Sequence, residues 1–230
     1  TGTILTSSDG TTWTAQTSGV SGFLYGVTHG NSMFVATGQS GTILTSSDGE
    51  IWTTQTSGTT NWLYGVTYAN STFVATGGLG TILTSPDGET WTAQTSGTTE
   101  WLYGVTYAAS TFVAVGFTGT ILTSPDGETW ITQTSGTTEW LLGVTYANST
   151  FVATGDEGTI LTSPDGETWT TQTSGTSVWL YGVTHENSMF VAVGNIGTIL
   201  TSPDGTTWTS QTSGTSNDLF GVIYDNSTFV

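Results

Sequence analysis

The sequence predicts an all-β fold: a six-bladed β-propeller of 39-residue, four-stranded repeats, closed by a composite blade that takes two strands from each end. Three observations carry this. A GTILTS-x-DG-x-x-W segment recurs without insertion, opened by Gly2, Gly41, Gly80, Gly119, Gly158 and Gly197. Each interval holds four short β-branched or aromatic runs separated by turn residues. No stretch of useful length has helical periodicity. A period near 40 residues with four strands per repeat is the pattern of a propeller blade.

The third copy shows the elements in order. Gly80-Thr-Ile-Leu-Thr-Ser85 alternates as a half-buried strand does. In Ser85-Pro86-Asp87-Gly88, Pro suits the first central position of a type I turn, Asp the second, and Gly the left-handed residue that closes a hairpin. Thr90–Gln94 returns as a strand, and Thr95–Glu100 is a polar loop. Trp101–Tyr107 is a third strand, Ala108-Ala-Ser110 a turn, and Thr111–Val115 a fourth strand. Phe117-Thr118 links to the next copy.

In propeller order the Trp101–Tyr107 type is innermost and the Thr90–Gln94 type outermost. The chain therefore opens on two outer strands and ends on two inner ones, Leu219–Tyr224 and Thr228–Val230. Residues 1–230 read as a single propeller domain whose N-terminal strands complete the last blade. Six full repeats would need 234 residues, four more than the 230 present.

Composition narrows the partners. The chain has no Lys or Arg and a formal charge of -17, yet only 7% of its residues are charged. Nucleic-acid binding rests on cations that neutralise phosphate, so it is excluded, and an anionic membrane surface is disfavoured. There is no Cys, which removes disulfides and thiolate ligands. No run reaches the 18 apolar residues of a membrane span, so no membrane insertion is expected. Ten Trp, nine Phe and eight Tyr on a Thr/Ser/Gly background suit half-buried strands.

The run S-[SP]-D-G-x-[TI]-W resembles the Asp-box, or bacterial neuraminidase repeat, one residue shorter in its turn. The wider pattern LYGVTY…FVATG…GTILTSPDGETW is similar to propeller repeats of the photosystem II assembly-factor type, which also occur in bacterial surface proteins. The resemblance covers all six copies and implies a propeller. It also implies an arginine cluster in the sialidases and a basic patch in the assembly factor. A chain without arginine or lysine carries over neither.

Two sets of residues occupy one slot in every copy. Asp9, Asp48, Asp87, Asp126, Asp165 and Asp204 are placed to accept backbone N–H bonds within their own turns. As Ca²⁺ ligands they supply one carboxylate per turn, too few for a shell of about 6–8 oxygens. Trp13, Trp52, Trp91, Trp130, Trp169 and Trp208 read as core between blades.

A second aromatic slot varies: Phe23, Trp62, Trp101, Trp140, Trp179 and Asp218. It is preceded by Gly22, Asn61, Glu100, Glu139, Val178 and Asn217. The link before each GTIL varies too, as in Phe117-Thr118 and Asp156-Glu157. In a propeller these connections emerge on one face, while the near-constant turns lie on the other. The candidate ligand-binding rim is Trp62, Trp101, Trp140, Trp179, Asn61, Glu100, Glu139, Phe117, Asp156 and Glu157. Aromatic rings flanked by amides and carboxylates suit stacking on sugar faces. The competing reading packs these rings between blades.

His29 and His185 replace the Tyr of other copies and read as packing. No triad and no separated carboxylate pair stands out, so no catalytic residue, metal or cofactor is expected. Asn70, Asn148 and Asn226 open Asn-Ser-Thr acceptor triplets that are also ordinary turn sequences. These readings converge on a non-catalytic extracellular or cell-surface binding and adhesion scaffold, with glycans or other surface molecules as partners. Two alternatives stay open. One is a filament subunit that self-associates through its terminal half-blades. The other is an engineered or recently amplified repeat, since copies three and four differ at only seven positions.

Overall fold

A sheet that is apolar on both faces must be covered on both, and the repeat meets that demand by packing sheet on sheet. The computed structural model describes residues 2–225 and 227–230. The chain divides into two compact units, Thr1–Leu102 with Asp126–Thr129, and Tyr103–Pro125 with Trp130–Val230.

The first unit begins with a two-stranded sheet, β1 (Ile4–Thr6) and β2 (Thr14–Gln16). Two four-stranded antiparallel sheets follow. One is β3 (Leu24–Gly30), β4 (Met33–Gly38), β5 (Ile43–Ser46) and β6 (Thr53–Gln55). The next is β7 (Leu63–Ala69), β8 (Thr72–Gly77), β9 (Ile82–Ser85) and β10 (Thr92–Gln94). The second unit carries β11 (Leu102–Ala108), β12 (Thr111–Gly116), β13 (Ile121–Ser124) and β14 (Ile131–Gln133). Then come β15 (Leu141–Ala147), β16 (Thr150–Gly155), β17 (Ile160–Ser163) and β18 (Thr170–Gln172). The fifth four-stranded sheet is β19 (Leu180–Glu186), β20 (Met189–Gly194), β21 (Ile199–Ser202) and β22 (Thr209–Gln211). A short pair, β23 (Tyr224–Asp225) and β24 (Thr228–Phe229), ends the chain. Strands neighbour one another in chain order in every sheet.

The closed six-bladed ring is therefore corrected. The chain is all-β, but β1–β2 and β23–β24 form two separate two-stranded sheets, with no composite blade among the described residues. The terminal pairing is short. In the fifth sheet Leu180 pairs with Gly194, Gly182 with Val193 and Val183 with Ala192. The equivalents of Leu180, Gly182 and Val183 are Leu219, Gly221 and Val222, which lie outside any strand. Among the described residues the last two runs pair through Ile223 with Val230, Tyr224 with Phe229 and Asp225 with Thr228, too short an edge to order a shared sheet.

Strand alternation builds the core. Val35 and Ile43 of one sheet meet Leu63, Phe73, Ala75 and Leu83 of the next, with Trp91 packed alongside. In the second unit Val113 and Ile121 meet Phe151, Ala153 and Leu161, and Val152 and Ile160 meet Phe190, Ala192 and Leu200. Tyr68, Tyr107 and Tyr146, and likewise His29 and His185, pack on the neighbouring Phe at 4.4–4.5 Å between ring centroids. The outer strand pair is clamped by side chains, as in Gln94 Nε2 donating to Thr84 Oγ1 at 2.7 Å.

Two of the connections in each copy rest on left-handed backbone. Asn70 and Ser71 both have positive φ, the two-residue hairpin of type I′, and Asn148 and Ser149 do the same. The acceptor triplet at Asn226 lies outside the described residues. The second connection needs the glycine that opens the repeat. Gly80 has φ +66, and a Cβ there would lie 2.0 Å from the Thr98 carbonyl oxygen.

One core position is polar without a partner. Thr37, Thr76 and Thr154 are fully buried, and no hydrogen bond reaches their Oγ1 atoms. Copies three and five place Val115 and Val193 there instead. Because an unsatisfied buried hydroxyl keeps its desolvation cost, Thr76→Val is expected to stabilise the fold by about 1 kcal/mol. Urea unfolding of the variant checks this through a raised midpoint at unchanged slope.

Candidate functional site

The repeat isolates its polar chemistry in the hairpin turn. Asp87 Oδ1 accepts from the N–H of Glu89 (2.9 Å), the N–H of Thr90 (2.8 Å) and the Ser85 hydroxyl (2.9 Å). The Gly88 N–H donates to Ser85 Oγ at 2.8 Å, and Trp91 Nε1 donates to the Gly88 carbonyl at 2.8 Å. Asp9, Asp48, Asp165 and Asp204 make the same bonds, and Asp126 accepts from Glu128 and Thr129. The serine that opens the S-[SP]-D-G-x-[TI]-W run stands two residues before every Asp, and its hydroxyl adds a side-chain donor to the two backbone ones. These N–H donors hold the carboxyls of Asp9, Asp48, Asp87, Asp165 and Asp204 below the usual range; for Asp204, Thr207 and then Thr206 bring the pKa to about 2.

Trp52, Trp91, Trp130, Trp169 and Trp208 each lie 6.4–6.5 Å from the core Phe of their own sheet. Trp130 is 9% exposed, whereas Trp13 on the terminal half-sheet is 52% exposed.

At the other end of the sheets, the variable links and the residues before the inner strands come together. The Gly78 N–H donates to the Trp62 carbonyl, and the Gly80 N–H to the Glu100 carbonyl, both at 2.8 Å. Asn61 Nδ2 donates to Thr81 Oγ1 at 2.8 Å. The middle residue of each link is left-handed, namely Ser40, Leu79, Thr118, Glu157 and Ile196. Leu79 and Ile196 also leave their side chains exposed.

Aromatic rings collect beside these links. In the first unit Trp62 and Trp101, each 41% exposed, have centroids 6.5 Å apart. Tyr64 stacks on Trp101 at 5.9 Å, and Tyr25 on Trp62 at 6.0 Å. In the second unit Trp140 lies 4.6 Å from Phe117, 5.5 Å from Trp179 and 6.4 Å from Tyr103. Tyr181 joins Trp179 at 6.0 Å. Sequence reasoning missed Tyr25, Tyr64, Tyr103 and Tyr181. Their signal is strand spacing: each follows the variable aromatic slot by two residues and so shares its face.

No family model matches the chain, and no curated protein matches it. Among solved structures it is similar to YCF48 bound to D1 peptide, with TM-score 0.62 and 17% identity over 79% of this chain and 63% of that one. It is similar to YCF48 from Cyanidioschyzon merolae, with TM-score 0.59 and 15% identity over 89% and 90%. The computationally designed protein Ika8 gives TM-score 0.71 and 12% identity over 90% and 66%. The likeness is one of fold. It is the fold of YCF48-like repeat propellers, and the chain spans less than two thirds of the first of these structures.

Carboxylates gather around Trp140. Asp156 is 8% exposed, and its Oδ1 accepts the Trp140 N–H at 2.6 Å. Gln39 Oε1 makes the equivalent bond to the Phe23 N–H at 3.0 Å. Burial pushes the Asp156 pKa up against the Trp140 N–H, and the charges of Glu139 and Glu157 push it further. Burial and then the Asp156 charge raise the Tyr103 phenol. Among the described residues no group of three or more His, Cys, Asp or Glu could hold a metal ion. No helix among them is long and apolar enough to cross a membrane.

The two kinds of carboxylate have opposite linkage. The lowered turn aspartates contribute stability that is complete above the ordinary carboxylate range and is lost as pH falls through their folded values. Stability should thus decline from about pH 4 toward pH 2, the window set by Asp204, and chemical denaturation at stepped pH checks it. Asp156 has a raised folded pKa, so its charged form costs stability at neutral pH, and the cost vanishes on acidification. Asp156→Asn keeps an acceptor for Trp140. It should stabilise at pH 7, with the gain shrinking on acidification and gone well below the ordinary carboxylate value. Thermal melts at pH 7 and in acid read the sign.

Proposed function

We propose that the protein is a non-catalytic extracellular binding and adhesion scaffold that holds glycans by stacking on its aromatic face. The observation that carries the reading is the exposed pair Trp62 and Trp101, with Tyr25 and Tyr64 stacked against them in the first unit. Flat rings in an array offer apolar area at low entropic cost, and a pyranose presents a C–H face that fits them. Asn61 and Glu100 stand one residue before the two tryptophans and supply polar groups beside the rings.

Two further features support a ligand here. The left-handed link residues Leu79 and Ile196 carry exposed side chains in a conformation that costs energy, and such strain concentrates at functional positions. The turns at the Asp-box end are near-constant, whereas this face differs from copy to copy. A net charge of -17 favours neutral glycans over sulfated or phosphorylated ones.

The test is tryptophan fluorescence during titration with neutral oligosaccharides. Trp62→Ala with Trp101→Ala is expected to weaken binding by about tenfold or more, the scale of one or two lost aromatic contacts. Trp169→Ala, on the turn side, should leave affinity unchanged. Equal binding by the double variant would remove the site.

A further inference from the structure

The two ends of the chain leave complementary halves of one interface, and this is independent of what the aromatic face binds. On β1 the Thr6 methyl lies beside Gly49, as Thr162 lies beside Gly205 inside the second unit. That face of β1 is therefore covered by the first four-stranded sheet. Its opposite face is not: Leu5 is 50% exposed, while its equivalents Leu44, Leu83, Leu122, Leu161 and Leu200 are fully buried. Trp13 is exposed on the same half-sheet.

The second unit carries the matching groove. A groove of about 280 Å³ is lined by Met189, Val191, Val193 and Ile199 on one side and Leu219 and Phe229 on the other. Val191 and Ile199 are the equivalents of Val35 and Ile43, of Val113 and Ile121, and of Val152 and Ile160. In those three interfaces the covering sheet contributes a Leu–Trp pair: Leu83 with Trp91, Leu161 with Trp169, and Leu200 with Trp208. Among the described residues that line the groove there is no such Leu–Trp pair. By repeat position, the pair that belongs there is Leu5 with Trp13.

We propose that the groove of one molecule takes the N-terminal half-sheet of a second copy. Leu5 of the second copy sits over Val191 and Ile199, and its Trp13 lies against Phe229. The backbone joins as well. Phe73 pairs with Ser85 and Val74 with Thr84 in the second sheet, so Phe229 and Val230 would pair with Ser7 and Thr6 of the second copy. The result is a four-stranded sheet shared by two chains. The two patches differ, so the contact is head to tail and each copy can both give and receive. Apolar burial drives it, and the negative charge on every copy opposes it. Association should therefore strengthen with salt, the reverse of an ion-paired contact.

The test is the solution mass of the chain by light scattering across concentration and salt, with two variants. The wild type is expected to grow beyond a dimer as concentration rises, and to do so further at 0.5–1 M NaCl, roughly where screening is nearly complete. Leu5→Asp changes an exposed residue, so the fold should survive by circular dichroism while the mass stays that of one chain. In Leu5→Cys with Val191→Cys, in a protein with no native cysteine, oxidation should give ladders of covalently linked chains. A constant single-chain mass, growth undiminished in Leu5→Asp, or a disulfide confined within single chains would each overturn the proposal.

Discussion

Every four-stranded sheet in this molecule depends on a neighbour. Within β4, Val35 points to one side and Phe34 to the other, and each is useless to the fold unless a further sheet covers it. A single repeat cannot meet that requirement from its own residues, because its two apolar faces point in opposite directions. Burying Val, Ile, Leu and Phe side chains at a sheet interface is worth about 1.5–3 kcal/mol for each one fully removed from water. The face-to-face packing of successive copies is therefore the source of order, and hydrogen bonding within each copy follows from it.

That arrangement separates the constant turns from the variable links. The Asp-box turn satisfies its own donors with Ser85, Asp87 and Trp91, so it needs nothing from neighbouring ligands and is repeated almost unchanged. The links at the other end need only the glycine at Gly80 and its equivalents, whose left-handed backbone fits beneath a carbonyl. The residue before that glycine is free to be Leu79, Thr118, Glu157 or Ile196. Variation is therefore tolerated at the end where the aromatic rings stand.

Much of this was legible because β-strands write their geometry at a period of two. The constant interval, the hairpin turns and the alternation of Ile82, Leu83 and Thr84 led directly to four-stranded sheets in chain order. Ring closure was not legible, because it turns on how the terminal strands pair. Counting strands supplies two halves, but β23 and β24 pair over only two residues each and β1–β2 stays a sheet of its own. The tyrosines of the aromatic face were overlooked when the variable slot was read as one column rather than as positions two apart on one strand face. The Asp156 bond to the Trp140 N–H joins residues 16 apart, and only the folded links bring them together.

The central claim is that sheet-on-sheet cover holds the fold. Amide hydrogen exchange on dilute protein, where copies are apart, tests it most directly. The account predicts slowest exchange in strands covered on both faces, such as β16 and β17, and faster exchange in the two-stranded sheets β1–β2 and β23–β24. Equal protection of those two-stranded sheets at single-chain concentrations would contradict it.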